Sequence, residues 1–148
     1  GTFALDSHRA GIAVSNGWGM AAADVDLDGD LDLAATGVLL RNRRAAPGRW
    51  LQVRAVGDAG SNRAALGATV RVSAGGRSWI RHVSGGNGQG CQDSLTLHFG
   101  LGEAEVVDEI GVRFPGFAEQ VFAGPFDSDQ RLWVYQSGVV APGWSGRP

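Results

Sequence analysis

A-T-V-R-V-S-A-G-G-R-S-W-I-R-H-V, residues Ala68–Val83, is two short alternating runs joined by a pair of glycines. In the first run Val70 and Val72 point one way while Thr69 and Arg71 point the other, the period-two signature of a strand with one face in a core. Gly75-Gly76 between the runs reads as a tight hairpin turn. Working outward, similar runs occupy Trp50–Val56, Ser94–Gly100, Glu109–Phe114, Glu119–Phe122 and Arg131–Tyr135. With Ala68–Ala74 and Arg77–Val83 they make seven short strands separated by turn residues, which predicts an all-β sandwich or small barrel. A short helical turn is expected at Glu103–Val107 and no helix elsewhere. The 24 glycines suit a chain with many tight turns.

Upstream, Asp24–Asp32 reads D-V-D-L-D-G-D-L-D, with five carboxylates at alternate positions. Such acids repel one another unless some take up protons or a cation gathers them. A hard cation with oxygen ligands, Ca²⁺, answers that density of charge. Gly29 follows the third acid, where the loop must turn sharply and a positive φ is cheap only for glycine. The spacing predicts Asp24, Asp26 and Asp28 as side-chain ligands, Asp30 as a backbone-carbonyl ligand, and Asp32 closing the shell. An acidic run is more often a solvated face, but Val25, Leu27, Leu31 and Leu33 alternate with the acids in a strand-like way. The loop differs from an EF-hand, whose twelfth position is acidic; here that position is Ala35. It is therefore expected to join two strands.

The 148 residues suffice for one domain with an ordinary core. Net charge is −2, all 13 basic residues being arginine, and the pI is near 5.9. Nothing in this balance argues for nucleic acid or an anionic membrane surface. No apolar run approaches the roughly 20 residues of a membrane span. Cys91 is the single cysteine, so no intrachain disulfide is possible. A structural Ca²⁺ loop is best filled where Ca²⁺ is millimolar, which predicts a secreted, periplasmic or cell-surface location. Gly1-Thr2-Phe3 reads as the middle of a repeat, so the chain is expected to be part of something longer or processed.

Two resemblances follow from ordered motifs. The acidic loop, with Gly17-Trp18-Gly19-Met20-Ala21-Ala22 before it and Leu39-Leu40-Arg41-Asn42 after it, resembles the FG-GAP/VCBS repeats of integrin-type propellers. Trp50-Leu51, Gly57, Ser61-Asn62-Arg63, Gly67-Ala68, Gly85-Gly86, Gln92, His98-Phe99-Gly100-Leu101-Gly102, Val107-Asp108 and Pro115 together resemble the ASPIC/UnbV domain. In relatives of cartilage acidic protein such a domain commonly follows FG-GAP/VCBS repeats. The chain departs from the pattern at Gln89-Gly90-Cys91, which replaces an aromatic and a serine, and at Phe114, which replaces tryptophan. The resemblance implies a partial Ca²⁺-binding repeat over residues 1–42, a linker at 43–49, a β-sandwich-like domain over 50–136 and an extended tail over 137–148. One blade cannot close a propeller, so the hairpin either lacks its neighbours here or packs on the second domain.

Catalytic constellations are weak. His8, His82 and His98 have no zinc-like spacing. His82, Ser84 and Asp93 are close in sequence, but no nucleophile elbow surrounds Ser84. Glu103, Glu105, Asp108 and Glu109 form a loose acidic patch that reads as a solvated turn. Trp50, Trp79 and Trp133 are expected in the core. Asn87, Gln89 and Gln92 in the Gly-rich loop, and Trp144 in the tail, are candidate contacts for a partner. The expected function is a non-catalytic extracytoplasmic Ca²⁺-binding module, contacting protein or glycan or serving as an accessory subunit. The alternative is a carbohydrate-active enzyme or glycan-binding domain using paired acids.

Overall fold

The computed structural model describes residues 2, 4, 6, 9, 11–12, 19–43, 48–88 and 90–143. Among them every regular element is a strand, as the alternating runs require. Strands β1 (Met20–Ala23), β2 (Asp32–Ala35) and β3 (Val38–Leu40) form a small antiparallel sheet. The rest are β4 (Arg49–Val56), β5 (Thr69–Ala74), β6 (Arg77–His82), β7 (Leu97–Gly102), β8 (Val106–Arg113), β9 (Glu119–Asp127), β10 (Gln130–Tyr135) and β11 (Val140–Pro142). They build two four-stranded sheets, ordered β11-β10-β4-β7 and β6-β5-β8-β9. All pairings are antiparallel except β4 with β10, which run parallel.

The core lies between these two sheets. Leu51, Val53 and Ala55 of β4, Leu97, Phe99 and Leu101 of β7, and Leu132 and Val134 of β10 meet Val70 and Val72 of β5 and Ile110 and Val112 of β8. Each of the Leu, Val, Ile and Phe side chains stabilises the fold by roughly 1.5–3 kcal/mol relative to exposure. The sandwich is therefore the product of period-two alternation, and it is not closed into a barrel.

Several boundaries move from their expected places. The run read as Ser94–Gly100 becomes strand only at Leu97, because the Ser94 hydroxyl accepts from the Thr96 N–H in a local turn at 3.1 Å. The strand over Glu119–Phe122 continues to Asp127 through Gly124-Pro125. Proline is tolerated there because β9 is an edge strand whose outer groups need no partner. The helical turn expected at Glu103–Val107 is absent. Glu103 makes a simple turn, and Val106 and Val107 pair with Asp127 and Phe126 of β9. Trp133 is 39% exposed, not in the core, because Leu132 and Val134 take the inward positions of β10. Trp50 is buried, and Trp79 packs at the margin of the core. Val140–Pro142, within the expected tail, pairs with β10.

The loop after β4 is fastened to the end of β10. Gln136 Oε1 accepts from the N–H groups of Ala59 and Ser61 at 3.2 and 3.0 Å. The Ser137 hydroxyl donates to Asp58 at 2.6 Å. That hydroxyl, with the Ser137 N–H, holds the Asp58 carboxyl below its ordinary range. A depressed carboxyl stabilises the fold above its unfolded pKa and loses that contribution as pH falls through the folded value. Ser137→Ala is therefore expected to lower the melting temperature slightly at neutral pH. The difference from the parent should shrink as pH falls through the lowered folded value, where Asp58 takes up its proton. Thermal melts across that range check it; a gap that persists in acid would show that the serine acts otherwise.

Candidate functional site

Strand β4 is buried on both faces: from Trp50 to Val56 only Arg54 is more than slightly exposed. Leu51, Val53 and Ala55 face the core. Trp50 and Gln52 face the other way, and what covers them is the acidic loop between β1 and β2. Gln52 is 1% exposed. Its Nε2 donates to Asp24 Oδ2 at 2.7 Å, and its Oε1 accepts from Arg131 Nε at 2.8 Å. His98, Gln52 and Arg131 occupy one rung across β7, β4 and β10. The loop is thus seated on the outer face of the first sheet through a buried polar chain, Asp24–Gln52–Arg131.

The loop turns back on itself with Leu27 at φ 59° and Gly29 at φ 94°. This wraps backbone N–H groups around the first acid. Asp24 accepts from Asp28 N at 3.2 Å, and from Gly29 N at 3.1 Å. Asp28 accepts from Asp30 N at 2.9 Å. Asp32 is 1% exposed, and its two oxygens accept from Val25 N and Asn42 N at 3.1 and 2.8 Å. Asp26 pairs with Arg41 at the loop's outer side. The carboxylates of Asp24, Asp26 and Asp28 each offer an oxygen within 4.8 Å of the others. Burial pushes the Asp24 carboxyl up, the Gly29 and Leu27 N–H groups pull it back, and the Asp28 charge raises it again.

A cation placed among three such oxygens relieves both the burial and the repulsion. The donor set is all oxygen, which suits a hard divalent ion better than zinc or copper. Asp30 is also buried, 6% exposed, and its charge acts on His98. His98 stacks on Trp50 with ring centroids 6.2 Å apart. Burial, with Arg81 nearby, pushes the His98 imidazole below its ordinary pKa against the pull of Asp30.

The hairpin has a second attachment. Ala22 N donates to Asp93 Oδ1 at 2.7 Å, and Ser94 N donates to Ala22 O at 3.1 Å. Gln52 and Arg131 are residues that motif reasoning missed, and Asp93, weighed there only beside His82 and Ser84, instead holds the hairpin. The available signal was Gln52, a lone amide within the otherwise apolar run Trp50-Leu51-Gln52-Val53.

The other candidates are dispersed. Asn87 and Gln92 are exposed. Asn87 N donates to Cys91 O at 3.0 Å, and Gln92 borders a groove with Met20 and Leu39. Gln89, Trp144, Trp18 and His8 lie outside the described residues. His82, Ser84 and Asp93 line one cleft, but they do not form a relay. The Ser84 hydroxyl donates to Gly86 O at 2.8 Å, His82 Nδ1 pairs with Thr69, and Asp93 holds Ala22. In the second acidic patch Glu105 pairs with Arg49 and Glu109 with Arg71.

The family model described as ASPIC and UnbV matches residues 57–140, more than half of the chain. The chain belongs to the ASPIC and UnbV family. The matched span begins just after β4 and ends at the start of β11, so the ASPIC/UnbV module holds all of the β6-β5-β8-β9 sheet and strands β7 and β10 of the other. Phe114, where the family pattern has tryptophan, is 1% exposed in this module's core. No curated protein matches the chain. Among the described residues, no helix is long and apolar enough to cross a membrane.

Proposed function

We propose that this ASPIC/UnbV chain is a non-catalytic, extracytoplasmic interaction module whose acidic hairpin is held by Ca²⁺. The observation that carries the reading is the gathering of Asp24, Asp26 and Asp28 within 4.8 Å on a loop whose first acid is buried against Gln52. Asp24, Asp26 and Asp28 supply side-chain oxygens. Asp30 supplies its carbonyl, and Asp32 closes the shell while ordering the loop ends through Val25 and Asn42. The ion's role is structural: it neutralises buried charge and fixes the hairpin on the sheet.

The β1–β3 hairpin corresponds, in this reading, to part of an FG-GAP/VCBS-type repeat resting on the sandwich. Millimolar Ca²⁺ outside the cytosol would keep a modest site filled. The partner is a protein or a glycan, and the module serves as a binding surface or accessory subunit in a larger assembly. The carbohydrate-active alternative finds less support, because Glu105 and Glu109 are tied in separate ion pairs and the Asp cluster is organised as a ligand set.

Titration of chelator-stripped protein with Ca²⁺ by calorimetry tests the proposal. About one equivalent is expected to bind and to raise the melting temperature, and Asp28→Ala should abolish both. At ten times the dissociation constant the stabilisation is about 1.4 kcal/mol. If Ca²⁺ neither binds nor shifts the melt, the metal reading fails.

A further inference from the structure

Beside the acidic loop, the open side of the sandwich forms a cleft of about 350 Å³. Its walls are two edge strands from different sheets, β6 and β7, and the hairpin residues Ala22 and Leu31 form one side. The volume is at the small end of ordinary ligand sites.

Arg81 dominates the cleft chemically. Its Nε donates to His98 O at 2.7 Å, which anchors the guanidinium across the gap between the sheets. It is exposed, and among the described residues it has no carboxylate partner. An anchored guanidinium with open terminal N–H groups fits a carboxylate in a two-point contact. Around it stand groups that suit hydroxyls. Asp93 uses one oxygen on Ala22 and keeps the other as an acceptor. Thr96 and His82 add further polar atoms. Ile80, 60% exposed, and Leu31 give the rim an apolar side.

A cationic fork, a neighbouring carboxylate acceptor and an apolar rim select against a multiply charged anion, which Asp93 repels. They select for a singly charged ligand with hydroxyls to donate. An exposed edge arginine often serves only to guard a strand against aggregation. The anchoring contact to His98, together with the polar cleft around it, gives Arg81 a more specific use. We propose that this cleft binds a uronic acid, a sugar carrying one carboxylate, with Arg81 on the carboxylate and Asp93 and Thr96 on ring hydroxyls. The proposal narrows the glycan option of the function proposed above and rests on it only in that the hairpin must be seated to form the Ala22–Leu31 side.

The test is NMR titration of the whole Ca²⁺-supplied chain with glucuronate, a glucuronate-containing tetrasaccharide and glucose, repeated with Arg81→Gln. Glucuronate is expected to bind on the order of millimolar and to shift amide signals of β6 and β7, with glucose at least tenfold weaker. Arg81→Gln should lose glucuronate binding at least tenfold while its Ca²⁺ titration is unchanged. Tighter binding of the tetrasaccharide would support a polymer as the source, and equal binding would support a single residue. Equal response to glucose, no shifts near the cleft, or undiminished binding by Arg81→Gln would overturn the proposal. A chain that binds glucuronate but not Ca²⁺ would overturn the metal reading alone.

Discussion

Gln52→Leu is expected to lower the stability of the chain by about 2–4 kcal/mol, although the two side chains are close in volume. Gln52 is the only bridge described between Asp24 and Arg131, and both ends of its amide are used. Hydrogen bonds to charged groups contribute about 1.5–3 kcal/mol each, and a buried charge left without its partner loses more than a neutral group would. Leucine removes both contacts while leaving the charges beneath the loop. Part of the loss is recovered because Asp24 keeps the N–H groups of Asp28 and Gly29, which sets the upper bound. Burial pushes both Asp24 and Arg131 toward their neutral forms, so the pair has little reserve. Urea unfolding provides the measurement. A loss under about 1 kcal/mol would mean that the loop is held on the sheet by other contacts.

Gly29→Ala is expected to cost about 2–6 kcal/mol and to loosen the hairpin. Two effects add. At φ 94° a side chain strains the backbone by about 1–3 kcal/mol. A Cβ there would also lie 2.2 Å from the Trp50 ring. Trp50 is buried and stacked on His98, so it cannot swing aside, and overpacking of this kind costs about 1–3 kcal/mol. The expected signatures are a red-shifted tryptophan emission and weaker Ca²⁺ binding, since the turn that gathers Asp24, Asp26 and Asp28 must open. Unchanged emission and affinity would show that the loop tolerates a side chain facing Trp50.

These variants mark where sequence reading stops. Gly29 was legible as a turn glycine from D-G-D, because a sharp metal-loop turn is a local demand. Its second constraint, the Trp50 ring, comes from a residue 21 positions away by the numbering and leaves no local signature. Trp133 is expected in the core because it falls in a strand, yet the alternation of Leu132 and Val134 assigns it to the outer face. The strand expected over Glu119–Phe122 runs on through Gly124-Pro125 to Asp127, since a proline breaks a strand only when its missing N–H has a neighbour to serve. The helical turn at Glu103–Val107 lost to pairing with β9, a tertiary contact that overrides weak local preference.

The sequence by itself determined the all-β class, the hairpin at Gly75-Gly76, the shared face of Val70 and Val72, and the acids able to converge in one turn. Each of these follows from periodicity or from spacing within a few residues. Only the tertiary structure decided that β10 runs parallel beside β4, that the acidic loop lies on the outer face of that sheet, and that Arg81 and Asp93 share a cleft. The contact from Arg131 to Gln52 spans 79 residues and that from Ala22 to Asp93 spans 71. Such pairings are chosen by global packing and by the need to satisfy buried polar groups, and no local pattern records them.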